Sequence, residues 1–496
     1  MTLLRAFALL GPALLACAGT PATAGAVPDL GQLRRIAEVD PNFQSFNIEM
    51  VEVTGGRFWA PYASQSGERY AERKPIDLRN TRLRTLAKAL APAFMRVSGT
   101  WANSTYVPTL TEPEPVGVPQ GFRQVLRRSQ WQDVVNFSNA LDLPVITSFP
   151  VSSGTRDGAG RWQPDQAERL LSLTRQMGGR IAAAEFFNEP NLAKLGGLPE
   201  HYAAADYARD FETFRSFARG AAPQMIILGP GTTGEGGDVV AADMMRDTAS
   251  QVDAISYHFY GALSVRCKDS GGQTSAEEAL GEAWLSRTEA DYRFYAGLRD
   301  RHAPGKPIWL TETAQAACGG SPWAPTWRDT FRYVDQLGRL ARQGVRVVAH
   351  NTLAASDYAL IDDRTLEPRP SYWAAVLWRR LMGTVVLERP DISLPDVSLY
   401  AHCLRGSNEG VALLAENLGD IPQTLAVSGR VSAYVMTAAS LDARTVMING
   451  REPKIGANAV FPQIASRRMR GALRLPAHSI SFFAVTGIAN PACAKP

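Results

Sequence analysis

Long apolar runs are missing from this sequence. Past residue 24 nothing approaches the ~20 consecutive apolar residues that a membrane-spanning helix needs, so a membrane span is not expected. Histidine is scarce: there are 6 in 496 residues and none falls in a ligand pattern such as HExxH, so neither a metal site nor a cofactor is expected. Charge of one sign is missing as well. The 52 Lys and Arg nearly balance 48 Asp and Glu, the net charge is +4, and no block of like charge stands out, which argues against nucleic acid as a partner. A mildly basic surface still tolerates an acidic polysaccharide. Cysteine is limited to 5 residues, none with CxxC spacing.

What is present begins with a processing segment. Arg5 supplies a positive start, Ala6 to Ala18 is an apolar run too short to span a bilayer, and Ala22-Thr23-Ala24 is a small-x-small cleavage site. Residues 1–24 are therefore expected to be a signal peptide on an exported protein, periplasmic or secreted. Leu14-Leu15-Ala16-Cys17 offers a second reading, a lipid anchor on Cys17. Without Cys17 the chain keeps Cys267, Cys318, Cys403 and Cys493, an even number that suits disulfides in an oxidising compartment.

Eight short apolar runs recur, each followed by a helical pattern: Phe46–Val53, Ala93–Val97, Val145–Phe149, Ala183–Phe187, Met225–Leu228, Ala254–Tyr257, Ile308–Leu310 and Val345–Ala349. Several are apolar on both faces, as strands of a buried parallel sheet are. Eight β-then-α units predict a (β/α)8 TIM barrel over residues 45–383, with a doubly wound sheet as the alternative. After Met382 the helical periodicity stops. Short alternating runs separated by turn signals, such as Val397–Leu404, Gly410–Asn417, Thr424–Val427, Val431–Thr437 and Ser479–Val485, predict a C-terminal all-β sandwich over 384–496. A strand from 27–44 is a candidate addition to it.

Barrel enzymes carry their chemistry at the C-terminal ends of strands. Those ends hold Asn188-Glu189-Pro190 after the fourth strand and Glu312 after the seventh, on roughly opposite sides of the mouth. Two facing carboxylates are what glycoside hydrolysis uses, one as acid and one as nucleophile. A lone Glu at a strand end is more often a salt-bridge partner; two in these positions are harder to dismiss. Gly229-Pro230-Gly231-Thr232-Thr233-Gly234 spells GxGxxG after a strand, but Glu235 and Asp238 would set negative charge beside a pyrophosphate, so it reads as a glycine-rich segment lining the mouth.

Ala184-Glu185-Phe186-Phe187-Asn188-Glu189-Pro190-Asn191 and Ile308-Trp309-Leu310-Thr311-Glu312-Thr313 resemble the acid/base and nucleophile strands of the glycosidase clan with this barrel. With Pro92 to Thr100, Asp357 to Asp362, Pro370 to Trp373 and Leu475 to Phe483, the chain resembles glycoside hydrolase family 79, the heparanase and microbial β-glucuronidase family. The resemblance implies a retaining β-glucuronidase, with Glu189 as acid/base and Glu312 as nucleophile, acting on a glucuronate-containing oligo- or polysaccharide. It further implies that Gly319 and Gly320 receive the glucuronate carboxylate through backbone N–H groups, with Tyr358 beside them. Asn188, Glu49 and Thr100 would contact sugar hydroxyls, and Tyr260 would touch the nucleophile. His258 is either a supporting residue or a satisfied core histidine. Cys403 and Cys493 match paired family cysteines and are expected to be bridged; Cys267 and Cys318 lie in neighbouring loops, and a second bridge there is left open.

Competing classes are a catalytically silent carbohydrate binder, an oxidoreductase using the glycine-rich segment, and a glycosidase for neutral sugars. Within the β-glucuronidase reading, terminal (exo) action is favoured over heparanase-like internal cleavage of heparan sulfate. The proline-rich stretch Tyr106–Arg128 carries no long excisable insert, so no proteolytic activation is expected, and with Ser153–Arg161 it would wall one side of the site.

Overall fold

The computed structural model describes residues 29–64 and 67–494, so the expected signal peptide and the Cys17 anchor lie outside the described residues. Eight parallel strands close into a barrel in the order Gln44–Glu49, Met95–Ser98, Val145–Thr147, Ile181–Glu185, Ile226–Thr233, Ala254–Tyr260, Ile308–Ala314 and Val347–His350, the last pairing with the first. All eight expected runs supply a strand, and the doubly wound alternative is excluded. The apolar two-faced runs behave as parallel strands should: one face fills the barrel and the other packs on the helices.

One run divides. The expected strand Phe46–Val53 stops at Glu49, and Met50–Thr54 turns into a short helix. The Glu49 N–H is bonded to Glu52 Oε1 at 2.9 Å, a reciprocal cap that satisfies helix-start donors better than a continued strand would. The chain then makes a hairpin, Gly56–Trp59 against Tyr70–Arg73, that the sequence did not announce.

Past the barrel, an antiparallel sheet runs Arg35–Glu38, Met382–Leu387, Val397–Leu404, Val411–Asn417, Ser479–Thr486, Gln423–Thr437 and Met447–Ile448, with Arg467–Leu475 paired to Gln423–Thr437. It wraps around its own core of Leu399, Leu413, Leu425, Val427, Leu473, Phe483 and Val485. Its opposite face, with Tyr400, Leu414 and Phe482, joins the barrel core. The expected strands Thr424–Val427 and Val431–Thr437 are one strand with a bulge between them. Gly429, at φ 93°, turns that bulge, and a Cβ there would meet the Thr486 carbonyl at 2.9 Å. Cys403–Cys493 and Cys267–Cys318 are both disulfides, the first closing the sheet and the second joining the loops after the sixth and seventh barrel strands. Among the described residues no helix is long and apolar enough to cross a membrane.

The ends of the described chain meet. Arg35–Glu38 pairs with Met382–Leu387, and the Asn490 amide donates to the carbonyls of Leu30 and Leu33 at 2.7 and 3.0 Å.

Where barrel and sheet join, Trp327–Arg342 packs on the sheet, and Gly338 has no Cβ because the Tyr400 ring would lie 2.5 Å from it. The Tyr400 hydroxyl donates to Asp335, whose other oxygen takes a 2.6 Å bond from Arg339. Glu416 faces this group, fully buried, with neither carboxyl oxygen hydrogen-bonded. Burial, and then the Asp335 charge, push Glu416 well above the usual carboxylate value of 4.5, although Arg339 opposes the shift. The folded chain thus keeps this proton to higher pH than the unfolded chain, and its contribution to stability is lost as pH rises above that value. Glu416→Gln is expected to raise Tm by about 2–4 °C at pH 7.5 and to change it little at pH 4. Scanning calorimetry at both pH values decides; equal shifts at the two would remove the buried acid as their cause.

Candidate active site

The second barrel strand contributes a charged residue to the barrel interior. Arg96 is 1% exposed. Its guanidinium donates to Glu185 Oε2 through Nη2 at 2.8 Å and Nε at 3.1 Å, to Glu312 Oε2 at 2.7 Å, and to Asn188 Oδ1 at 2.8 Å. Burial disfavours the charged forms, but Arg96 and then His258 hold Glu185 far below the usual carboxylate range. Thr311 adds a 2.6 Å bond to Glu185 Oε1.

Glu312 comes from the seventh strand and Glu189 from just beyond the fourth. One carboxyl oxygen of each and a ring nitrogen of His258 lie within 4.8 Å of one another. Such a trio has metal-ligand spacing, but the Arg96 guanidinium is bonded to Glu312, so a cation already fills this role. Both Glu312 oxygens are engaged, Oε2 by Arg96 and Oε1 by the Tyr260 hydroxyl at 2.5 Å. Burial alone would raise Glu312; His258, Arg96 and the Tyr260 bond outweigh it and hold the group below its ordinary value. Glu189 goes the other way. Burial and the Glu312 charge push it up against a 3.2 Å contact from His258 Nδ1. Two carboxyls of one type are thus shifted in opposite directions, because Glu312 is bonded to Arg96 and Tyr260 whereas Glu189 has chiefly His258 to set against burial and the Glu312 charge. His258, fully buried, is pushed up to about 9: burial and Arg96 oppose its charge, but Glu312 and Glu185 prevail.

Glu189 sits in the left-handed region, φ 47° and ψ 63°, which costs a non-glycine residue about 1–2 kcal/mol. Its N–H donates to the Gly231 carbonyl at 3.2 Å and its carbonyl accepts from Leu192 at 2.8 Å. The Asn188 backbone is clasped twice by the Asn103 amide, at 2.9 and 2.8 Å. The GxGxxG stretch lies mostly within the fifth strand, Ile226–Thr233. A Cβ at Gly231 would stand 2.8 Å from Glu185 Oε1, so this glycine makes room for the buried carboxylate.

On the opposite wall Asn351 gathers three side chains. Its Nδ2 lies 2.9 Å from Glu49 Oε1, 2.9 Å from the Tyr260 hydroxyl and 3.1 Å from the Tyr358 hydroxyl. Burial, and then Glu312, push Glu49 well above its usual value, against the Asn351 bond and the Arg96 charge. Gly99 admits it: a Cβ there would fall 1.6 Å from Glu49 Oε2. Thr100 follows, partly exposed at the start of the turn Thr100–Ser104. Gly319 and Gly320 both have positive φ; Gly319 abuts Trp59 and Arg266, Gly320 abuts Tyr358, and the Gly320 N–H donates to the Ala316 carbonyl at 3.1 Å. The Gly320 donor expected from the resemblance is therefore already engaged.

Glu189, Glu312, Asn188, Glu49, Tyr260 and Tyr358 are brought together by these bonds, Gly319 and Gly320 lie beside Trp59 and Tyr358, no bond joins Thr100 to the group among the described residues, and His258 is part of the charge network. The sequence reading passed over Arg96, Glu185 and Asn351. Arg96 and Glu185 stand inside the quoted motifs, but only barrel register shows that they point inward.

A closed (β/α)8 barrel with paired carboxylates across its C-terminal mouth and an appended antiparallel sheet defines a glycoside hydrolase. No family model matches the chain. Its curated relatives include the heparanase of Gallus gallus, 26% identical with 94% of this chain and 96% of that protein covered. The hyaluronoglucuronidase of Hirudo nipponia is 23% identical over 85% and 92%, and the baicalin-beta-D-glucuronidase of Scutellaria baicalensis 24% over 78% and 79%. In fold the chain is similar to a 4-O-alpha-L-rhamnosyl-beta-D-glucuronidase from Fusarium oxysporum 12S, with TM-score 0.65, 14% identity and 93% and 99% coverage. It is also similar to the GH51 arabinofuranosidase of Xanthomonas axonopodis pv. citri, with TM-score 0.63, 17% identity and the same coverage. Among glycoside hydrolases, then, the chain resembles family 79.

Arg96→Gln removes the main compensating charge of the buried Glu185 and leaves it His258 and Thr311, and a loss of about 3–5 kcal/mol of stability is expected. Adding Glu185→Gln should return part of it. Thermal unfolding of the two single variants and the double variant measures the coupling; simple additivity of the losses would contradict the network.

Proposed function

We propose that this protein is a retaining β-glucuronidase, with Glu312 as nucleophile and Glu189 as acid/base. The observation that carries the reading is the facing of two carboxyls whose oxygens approach within 4.8 Å in surroundings that shift them in opposite directions. That spacing suits direct attack on a sugar held between them and is short for an intervening water. In the first step a Glu312 oxygen bonds to the anomeric carbon as the glycosidic C–O bond breaks, and the Glu189 proton passes to the departing oxygen. In the second, Glu189 takes a proton from water, and that water displaces Glu312 with net retention. Arg96 and Tyr260 hold the Glu312 charge in place before attack. Asn188, fixed at its amide by Arg96, supplies a group for the sugar 2-hydroxyl. Gly319 and Tyr358, beside the site, favour a substrate that carries a carboxylate. The relatives named as glucuronidases support the same substrate class.

Terminal action is the favoured mode. Tyr106–Arg128 and Ser153–Arg161 form one wall: the Gly154 N–H donates to the Gly121 carbonyl at 3.2 Å, and Gly154 is pressed so close to the Phe122 ring that a Cβ would lie 2.3 Å away. Internal cleavage is the second reading, supported by the heparanase relatives.

Glu312→Gln is expected to lower kcat by several orders of magnitude, while Glu189→Gln should harm poor leaving groups far more than activated aryl ones. Near-normal turnover of Glu312→Gln would refute the assignment, and proton NMR of the first-formed product should show the retained anomer. The pH profile of kcat/KM should be bell-shaped, its acidic limb set by Glu312 and its basic limb by Glu189. Because the His258 charge lowers both carboxyls, His258→Gln should move both limbs to higher pH. Digestion of heparan sulfate followed by size-exclusion chromatography distinguishes the modes. Free glucuronate with little early fall in chain length supports terminal action, and a rapid early fall overturns it.

A further inference from the structure

The turn after the seventh strand holds three successive residues with positive φ: Cys318 at 61°, Gly319 at 82° and Gly320 at 84°. Glycine enters that region freely, but cysteine does not, so something outside the turn must hold Cys318 there. Two neighbours from the sixth-strand loop do so. Cys267 is bonded to Cys318. Arg266, next to it and 4% exposed in its side chain, donates from Nη1 to the Cys318 carbonyl at 3.2 Å and to the Gly320 carbonyl at 2.9 Å. The other edge of its guanidinium bonds the Ala60 carbonyl and Asp357, and its face lies 3.7 Å from the centre of the Tyr62 ring.

These bonds determine where the peptide groups of the turn point. In a trans peptide the N–H opposes the preceding carbonyl. With the Cys318 carbonyl drawn to Arg266, the Gly319 N–H is turned away from Arg266. The Gly319 carbonyl is taken by the Asp357 N–H at 3.1 Å, the Gly320 N–H by Ala316, and the Ser321 N–H by Gln315 at 2.8 Å. Of the N–H groups from Gly319 to Ser321, only that of Gly319 has no partner among the described residues. It is a buried donor on a residue packed between the Trp59 side chain and the compensated Arg266 guanidinium, one residue before Gly320, which packs on Tyr358, and N–H groups in a left-handed turn suit an anion.

We propose that Arg266 and the Cys267–Cys318 bridge together act as a positioning clamp that presents the Gly319 N–H to the carboxylate of a uronate substrate, and so confer selectivity for charged over neutral sugars. The proposal rests on the glucuronidase reading given above. Arg266 does not touch the sugar. It acts through the carbonyls it draws back, and the bridge keeps Cys318 in a conformation it would otherwise leave.

The test compares aryl β-glucuronide with aryl β-glucoside on wild type, Arg266→Gln, Arg266→Lys and the double variant Cys267→Ala/Cys318→Ala. Wild type should strongly prefer the glucuronide; failure to do so refutes the glucuronidase reading itself, whatever the variants do. Given that preference, Arg266→Gln should raise KM for the glucuronide about tenfold, the equivalent of one charge-assisted bond. Its kcat should stay within about twofold and its glucoside kinetics should not change. Arg266→Lys should recover little, because an ammonium cannot span two carbonyls and Asp357. The cysteine pair should shift KM the same way by a smaller factor, and dithiothreitol on wild type should reproduce it. Equal losses on both sugars, or an unchanged glucuronide KM in folded protein, would overturn the clamp. Should Arg266→Gln fail to fold, the cysteine pair and the reduced wild type carry the same two outcomes.

Discussion

A single guanidinium in the barrel interior organises the rest of the site. Arg96 is removed from water, and the cost of that transfer is repaid only by the acceptors around it: Glu185 from two nitrogens, Glu312 and Asn188. Each acceptor then constrains its own strand. Gly231 must lack a side chain so that Glu185 fits, and Glu312 must meet Arg96 on one oxygen and Tyr260 on the other. The proposed division between nucleophile and acid follows from the same charge. It stabilises the ionised form of the carboxyl it touches and reaches Glu189 only weakly.

The opposite wall works with neutral donors. Glu49, pushed up by burial, Asn351, Tyr260 and Tyr358 share bonds around one amide. Under the proposed function, positive charge develops near Glu312 while the substrate's own carboxylate is met by N–H and O–H donors on this wall. A bound anion facing a buried free cation would compete with Glu312 for it; neutral donors avoid that competition.

The sequence made the barrel legible because parallel strands buried on both faces are short, apolar and regularly interrupted. Glu189 and Glu312 were legible because chemistry in this fold sits at strand ends. Arg96 and Glu185 were not, since whether a strand residue faces the barrel lumen or a helix depends on register, and a two-faced apolar strand has no alternation to reveal it. Asn351 lies one residue past its strand, where only the fold brings it to Tyr260. The hairpin Gly56–Trp59 with Tyr70–Arg73 escaped notice because its strands are short and half polar. Ser428-Gly429-Arg430 looks like a turn between two strands but is a bulge inside one. The buried Glu416 could not be seen at all, because nothing local distinguishes it from a surface glutamate.

The closure of the β sheet by the two ends of the described chain bears on how the molecule assembles. The Asn490 amide reaches carbonyls 457 and 460 residues earlier in the chain, and Arg35–Glu38 waits for Met382–Leu387 as its partner. Barrel strands mostly find partners one unit away, so loop closure costs them little, while the sheet's outer strand must close a loop that contains the whole barrel. A polypeptide emerging from its amino end therefore exposes an unpaired edge at Arg35–Glu38 throughout the formation of the barrel. Ile36 is the only apolar residue of that strand to stand in solvent, directly after Arg34 and Arg35 and two residues before Glu38, and such charges discourage a neighbouring molecule from adding its own strand during the delay.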